Sequence, residues 1–274
     1  LDFHKTSSAP DVPLLRDKAY DAPSVFRAEN LLREARRQKN VPEGAVPEIC
    51  VLDPDGDLVR HLLRSGAGRK SAFWACYHTD LVIFETGGSS FGVVGCAVGA
   101  SFAVLIAEQM FASGCRLLIS ITSSGQIADG GPTPYFILID RALRDEGTSH
   151  HYLPPSNFAE ADTALVRLAQ AGLDGTGLRV ITGSTWTTDA PYRETETAIA
   201  GARAQGVLAV EMEAAALYAF ATACARPVLC VAHVTNQMAQ IEGDFEKGEA
   251  GGAHDAIRLL ESLAAAWNGV EHVS

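Results

Sequence analysis

The chain is short of positive charge. Its 22 lysines and arginines stand against 33 aspartates and glutamates, a net charge of −11 at pH 7. Such a surface repels polyanions, which argues against nucleic acid or an anionic membrane as a main partner. A small phosphorylated ligand stays open, because a few local arginines override a global charge. Long apolar runs are lacking too. The most apolar stretch, 91–112, is broken by Gly92, Gly95, Gly99, Ser101, Glu108 and Gln109, so no membrane span is expected. Residues 1–13 are polar and carry no apolar signal segment. The six cysteines (Cys50, Cys76, Cys96, Cys115, Cys224, Cys230) form no C-x-x-C pair, and most lie in apolar runs. They read as reduced core thiols of a cytoplasmic protein. His150 and His151 are adjacent, point apart and have no second cluster to support them, so no metal site is expected. The glycines at 92, 95 and 99 lack G-x-G-x-x-G spacing, which disfavours a dinucleotide fold.

What is present is an alternation of short apolar strands and amphipathic helices. A chain of 274 residues is long enough to bury about three-quarters of its unfolded surface. Residues 1–45 read as a peripheral arm with one helix over 24–39, capped by Ser24. Strands are expected at 48–52, at 71–77 and 80–86 (a hairpin turning at His78-Thr79), and at 115–121, 135–139, 178–183, 207–210 and 227–234. Helices are expected at 100–113, closed by Gly114, at 162–171, closed by Gly172, and at 254–267. Between them lie polar loops at 122–126, 141–155 and 184–195, and an acidic segment at 241–252 that reads as a mobile flap. With no internal repeat and no linker, residues 46–274 predict one α/β domain, a mixed, twisted β-sheet flanked by helices.

Chemistry concentrates at three strand ends. Strand 207–210 runs into Glu211, Met212 and Glu213 at the start of an alanine-rich helix. Carboxylates are favoured at a helix start, and ligands of open α/β sheets bind at the carboxyl ends of strands. A carboxylate placed there accepts hydrogen bonds from vicinal sugar hydroxyls, while Met212 suits the sugar's apolar face. Strand 48–52 runs into Gly56-Asp57-Leu58-Val59-Arg60. The glycine lets backbone approach an anion closely, and the arginine forks two hydrogen bonds to it. The segment 184–195 mixes aromatic, hydroxyl and charged side chains, as a pocket for a flat heterocycle does.

The stretch Val210-Glu211-Met212-Glu213-Ala214-Ala215 resembles the ribose-binding motif of the nucleoside phosphorylase family, the class of bacterial purine nucleoside phosphorylase and uridine phosphorylase. Gly56 to Arg60 resembles that family's phosphate loop, and the two motifs stand in the expected order. The resemblance covers about residues 47–268. It implies that Glu213 binds the ribose hydroxyls, with Glu211 and Met212 beside it, and that Gly56, Arg60 and Ser123 hold phosphate. His78 would take the place of the arginine that a neighbouring subunit sends to the phosphate. Trp186 and Tyr192 would flank the base. Asn236 stands where hexameric purine phosphorylases carry an aspartate; an amide donates a hydrogen bond to a base leaving as an anion.

The implied activity is phosphorolysis of a purine or pyrimidine ribonucleoside to free base and ribose 1-phosphate. Glu213 and Asn236 would be the catalytic groups. Inorganic phosphate would be the co-substrate, with no metal or organic cofactor, and the enzyme a cytoplasmic homo-oligomer, a dimer or trimer of dimers. One departure from the family matters. Ser120 falls where a phosphate-binding arginine belongs, and Thr122 where a glycine belongs. Relatives that use water lack that arginine, so a nucleosidase is the alternative, and a non-catalytic nucleoside-binding relative is another.

Overall fold

The computed structural model describes residues 12–238 and 242–271. The elements follow in chain order: helix α1 (Ala28–Lys39), β1 (Ile49–Asp53), α2 (Asp57–Ser65), β2 (Arg69–Lys70), β3 (Val82–Thr86), β4 (Ser89–Gly95), α3 (Ala100–Ala112), β5 (Leu117–Gln126), β6 (Tyr135–Asp145), β7 (Phe158–Glu160), α4 (Thr163–Leu173), β8 (Val180–Thr188), α5 (Glu196–Ala204), β9 (Val207–Glu211), α6 (Ala214–Cys224), β10 (Val228–Asn236) and α7 (Ala253–Glu271). The strands form one mixed sheet in the order β10-β6-β8-β9-β5-β1-β4-β3-β2, with β7 on β6.

The sheet turns back on itself because β5 has three neighbours. Its first half runs parallel to β1, from Leu117 to Ser120. Its last residues, Gly125 and Gln126, pair antiparallel with β9, and its other edge pairs with β10. The strands β5, β10, β6, β8 and β9 therefore close into a ring, and β1, β4, β3 and β2 extend from it as an open sheet. Apolar side chains cover both faces. The first core contains Ala103, Ile106 and Met110 of α3 and the run from Ala214 to Phe220 of α6. That run is buried on every side, which matches its uniformly apolar sequence. The second core packs Leu58 and Leu62 of α2, Leu165 of α4 and Leu259 of α7 on the opposite face.

Several elements differ from the sequence expectations. Helix α1 begins after Arg27, which caps nothing with its side chain; the Ser24 hydroxyl instead donates to the Phe26 carbonyl at 2.7 Å. Residues 71–77 are not a strand. The hairpin is β3–β4, turning at Gly87 and Gly88, both at positive φ. The predicted loops at 122–126 and 184–188 are the outer halves of β5 and β8. Residues 141–145 continue β6, followed by a short 3-10 helix, Thr148–His151. Helix α4 runs through Gly172 to Leu173. The glycine serves a close crossing: a Cβ there would lie 2.7 Å from the Ala266 Cβ of α7. The expected flap at 241–252 begins outside the described residues. Its described part is tied down, with the Glu246 N–H donating to the Thr235 carbonyl at 2.8 Å and the Gln237 N–H donating to the Asp244 carboxylate.

Candidate active site at the carboxyl ends of the strands

The ends of β1, β4, β5, β9 and β10 and the start of α3 converge at the mouth of the closed ring. Glu213 is the N-terminal cap residue of α6 and is 1% exposed. Its Oε1 accepts from the Gly99 N–H at 2.7 Å, at the start of α3. Its Oε2 accepts from the Thr122 hydroxyl at 2.8 Å. Burial, reinforced by the neighbouring Glu211, pushes the Glu213 carboxyl up to about 8. At neutral pH it therefore holds its proton more often than not. Oε2 also accepts a longer bond from the Met212 N–H at 3.3 Å, so Oε1, with one protein donor, is the oxygen left with capacity for a polyol hydroxyl.

Glu211 does something different. Its Oε1 accepts from the hydroxyls of Thr185, at 3.1 Å, and Thr187. Its Oε2 accepts from the N–H groups of Glu213 and Ala214, each at 2.7 Å. Four donors use up its hydrogen-bonding capacity. The sequence reading put Glu211 on the ribose; its carboxylate instead fixes the first turn of α6 and so aims Glu213. Burial raises its pKa, opposed by these bonds. Met212, half-buried between the two, belongs to no core cluster among the described residues.

At the end of β10, Asn236 is 7% exposed. Its Nδ2 donates to the Thr235 hydroxyl at 3.2 Å and the Ser124 carbonyl at 3.4 Å; its Oδ1 accepts from the Met238 N–H at 2.9 Å. These two donor contacts are long, so the amide gives one up readily to a stronger acceptor. Ser123, one residue along β5 from Thr122, shares a hydrogen bond with the Thr235 hydroxyl at 2.9 Å.

The β1–α2 loop forms the opposite wall. Gly56 has φ +75, and a Cβ there would meet the Arg60 guanidinium at 2.8 Å and the Cys96 sulfur at 2.7 Å, so only glycine leaves room for backbone, arginine and thiol together. Arg60 Nη2 donates to the Asp55 carbonyl at 2.7 Å and to Asp57 Oδ1 at 2.6 Å. Its Nη1 lies over Gly56 and has no hydrogen-bond partner among the described residues. Lys247 reaches the same loop, donating to Asp55 at 3.0 Å and Asp57 at 2.6 Å. Burial works to raise Asp57, but Lys247 and Arg60 together hold it below the usual carboxylate range.

Three other sequence candidates sit elsewhere. Trp186 is 4% exposed and belongs to a core cluster with Ile127, Val207 and Val210. Its indole N–H donates to Asp145 at 3.0 Å. It is a core residue with a satisfied donor, so neither ring face is open to a base. Tyr192 is 99% exposed on a short 3-10 turn, with no wall opposite to complete a pocket within the chain. His78 is exposed, edge-on to Phe102 at 6.4 Å between ring centroids, and no hydrogen bond joins it to the Gly56 loop among the described residues. Ser120 lies buried in mid-strand with its hydroxyl unpaired, so no charge reaches the site from that position.

Sequence reasoning missed several residues. Thr122 looked like a loop hydroxyl standing where a glycine belongs, yet it bonds Glu213. Thr185 and Thr187 looked like loop hydroxyls. Asp53 looked like a turn residue after its strand, and His233 like a strand residue. Asp53 is 5% exposed and its Oδ2 accepts from the Val59 N–H at 2.9 Å; burial pushes its carboxyl up to about 6. Asp53, Asp55 and Asp57, three acids within five residues at a strand end, were the available signal.

A model of the phosphorylase superfamily matches residues 48–265, and the chain belongs to that family. Among solved structures, uridine phosphorylase from Vibrio fischeri ES114 shares the fold with a TM-score of 0.67 at 21% identity, covering 81% of this chain and 93% of that one. The same enzyme complexed with 6-hydroxy-1-naphthoic acid gives 0.62 at 18% identity, over 81% and 88% of the two chains. No curated protein matches the chain. Among the described residues no helix is long and apolar enough to cross a membrane, and no cluster of three or more His, Cys, Asp or Glu has metal-binding geometry.

Proposed function

We propose that this protein cleaves the N-glycosidic bond of a ribonucleoside with inorganic phosphate, releasing the base and ribose 1-phosphate. One observation carries the reading. Glu213 is a buried carboxyl aimed from a helix start into the junction of β5, β9 and α3, held there by the Gly99 N–H and the Thr122 hydroxyl, while Glu211 fixes the backbone N–H groups of Glu213 and Ala214. A ribose seated on Glu213 and Met212 would be fixed while its ring gains oxocarbenium character, which is catalysis by positioning. Gly56, Arg60 and Ser123 would hold phosphate. Arg60 supports this, because Asp57 orients the guanidinium while Nη1 stays free over the glycine. Asn236 would exchange a long contact for a hydrogen bond to the departing base. The reaction needs no metal or organic cofactor. We place it in a cytoplasmic homo-oligomer, with residues 1–45 as a peripheral arm and His78 and Tyr192 completed by a neighbouring subunit.

Water is the second reading of the nucleophile. It is favoured by Ser120, whose buried, uncharged hydroxyl offers phosphate nothing. The test is product analysis with inosine, guanosine, uridine and adenosine, each with and without phosphate. Phosphate-dependent base release with ribose 1-phosphate is the expected result. Free ribose formed at a rate indifferent to phosphate would replace phosphorolysis by hydrolysis. Tight binding without turnover of any nucleoside would leave a binding protein.

A further inference from the structure

Behind the Gly56 loop lies a small, partly open cavity of about 30 Å³, lined by Asp53, Asp55, Asp57, Ser123 and His233 among others. It sits where β1, β5 and β10 end, and it shares Ser123 with the proposed nucleophile site. Most of its polar groups are satisfied. Lys247 holds Asp55 and Asp57, Arg60 holds Asp57, and Thr235 holds Ser123.

Two groups are not. Asp53 gives one oxygen to the Val59 N–H, and its Oδ1 has no hydrogen-bond partner among the described residues. His233 is 7% exposed, stacks on Phe136 with 4.6 Å between ring centroids, and makes no hydrogen bond to any described residue. The chain passes directly over it at Gly252, where a Cβ would come within 2.5 Å of the imidazole Cε1. Burial, helped by Lys247, lowers the imidazole pKa to about 4, against the opposing pull of Asp255, Asp55 and Asp57. His233 is therefore neutral, with one ring nitrogen an acceptor.

An ionised carboxylate oxygen and an imidazole nitrogen accept hydrogen bonds. They offer nothing to an anion that carries no proton, and the carboxylate repels it. They do suit an oxygen species that brings hydrogens of its own. We propose that Asp53 and His233 select the nucleophile by its protons, accepting hydrogen bonds from protonated phosphate or from water and rejecting unprotonated oxyanions such as sulfate. Asp53 and His233 are then specificity-determining residues of the site. The proposal rests on reading this end of the site as the nucleophile's.

The test compares phosphate with sulfate. Binding of each anion to the resting protein is titrated by calorimetry, and nucleoside cleavage is assayed with phosphate as activator and sulfate as competitor. The wild type should bind phosphate and ignore equimolar sulfate. Asp53→Asn keeps an acceptor for the Val59 N–H and turns a donor into the cavity. It should narrow the phosphate-to-sulfate ratio by about tenfold or more, the value of one charged hydrogen bond. His233→Phe, which keeps the stack on Phe136, should weaken phosphate without admitting sulfate. Equal binding of the two anions by the wild type, or an unchanged ratio in Asp53→Asn, would overturn the proposal. If cleavage is indifferent to phosphate, oxygen from labelled water should enter the ribose and Asp53→Asn should slow that reaction about a hundredfold; an undiminished rate would sink the idea. If no nucleoside is cleaved, the functional reading fails, and the anion titrations still decide selectivity.

Discussion

The molecule carries acids at two strand-to-helix junctions and treats them in opposite ways. At the end of β9, Glu211 and Glu213 are 3% and 1% exposed and pair with no cation among the described residues. Hydroxyls and backbone N–H groups satisfy them, and both pKa values rise. At the end of β1, Asp55 and Asp57 stand at the surface of the loop against Lys247 and Arg60, and the Asp57 pKa falls. The first junction is built to hold neutral, polyhydroxylated matter. The second is built around mobile charge. A reaction between a sugar and an ionic nucleophile needs both kinds of surface side by side.

The sharpest way to break this comparison is at Glu213. Glu213→Ala should lower kcat by about 10² to 10³, the range for losing one preorganised polar contact in a dry site. The stability cost should be smaller than at Glu211, because the donors left without a partner are the Gly99 N–H, the Thr122 hydroxyl and the long Met212 N–H contact, none of them in the first turn of α6. Unchanged turnover with a normal melting curve would remove Glu213 from the site. Glu211→Ala should do the reverse. It strands two N–H groups and two hydroxyls, for a loss of about 3 kcal/mol in chemical denaturation. A variant of Glu211 that loses activity but not stability would contradict its assignment as the anchor of α6.

The pair also sets a pH dependence. The folded pKa of Glu213, about 8, lies above the ordinary glutamate value of 4.5. Between those values the unfolded chain has released a proton that the native state still holds. Stability should therefore fall as pH rises from about 4.5 to about 8 and level off above it. Denaturation midpoints measured across this window should flatten in Glu213→Gln. Asp57 pulls the other way: its lowered pKa stabilises the native state above the ordinary carboxylate range, and that gain is lost as pH falls through the native value.

What was legible in the sequence followed from local pattern. Four apolar residues before Glu211 and an alanine-rich run after Glu213 give β9 and α6 directly. Gly56 and Arg60 were legible because a turn glycine and an arginine four residues on face the same way. Distant partners were not legible. The Thr122 hydroxyl finds Glu213 91 positions away, and the Trp186 indole finds Asp145 41 positions away. The outer halves of β5 and β8 read as loops because strands that close a ring around a polar mouth carry serine and threonine where open sheets carry valine. His233, inside an apolar strand, read as core; only the passage of Gly252 across it shows that it lines a cavity.

The charged junction should yield smaller effects. Arg60→Ala should raise the phosphate KM about tenfold, because one charged hydrogen bond is lost while the loop keeps Lys247. Stability should barely move, since the Arg60 side chain is 52% exposed. Lys247→Ala should cost less still. Its two ion pairs are partly exposed, at 27% for the lysine and 34% and 26% for Asp55 and Asp57, and such pairs contribute about 1 kcal/mol or less. That contribution should shrink as salt is added, because ions screen charges near the surface. The denaturation midpoint of Lys247→Ala relative to wild type, at low and high salt, decides the point. A gap that vanishes in salt means surface charge alone ties the 242–252 segment to the β1–α2 loop. A gap that persists means the lysine is held as firmly as the buried glutamates, and the contrast between the two junctions fails.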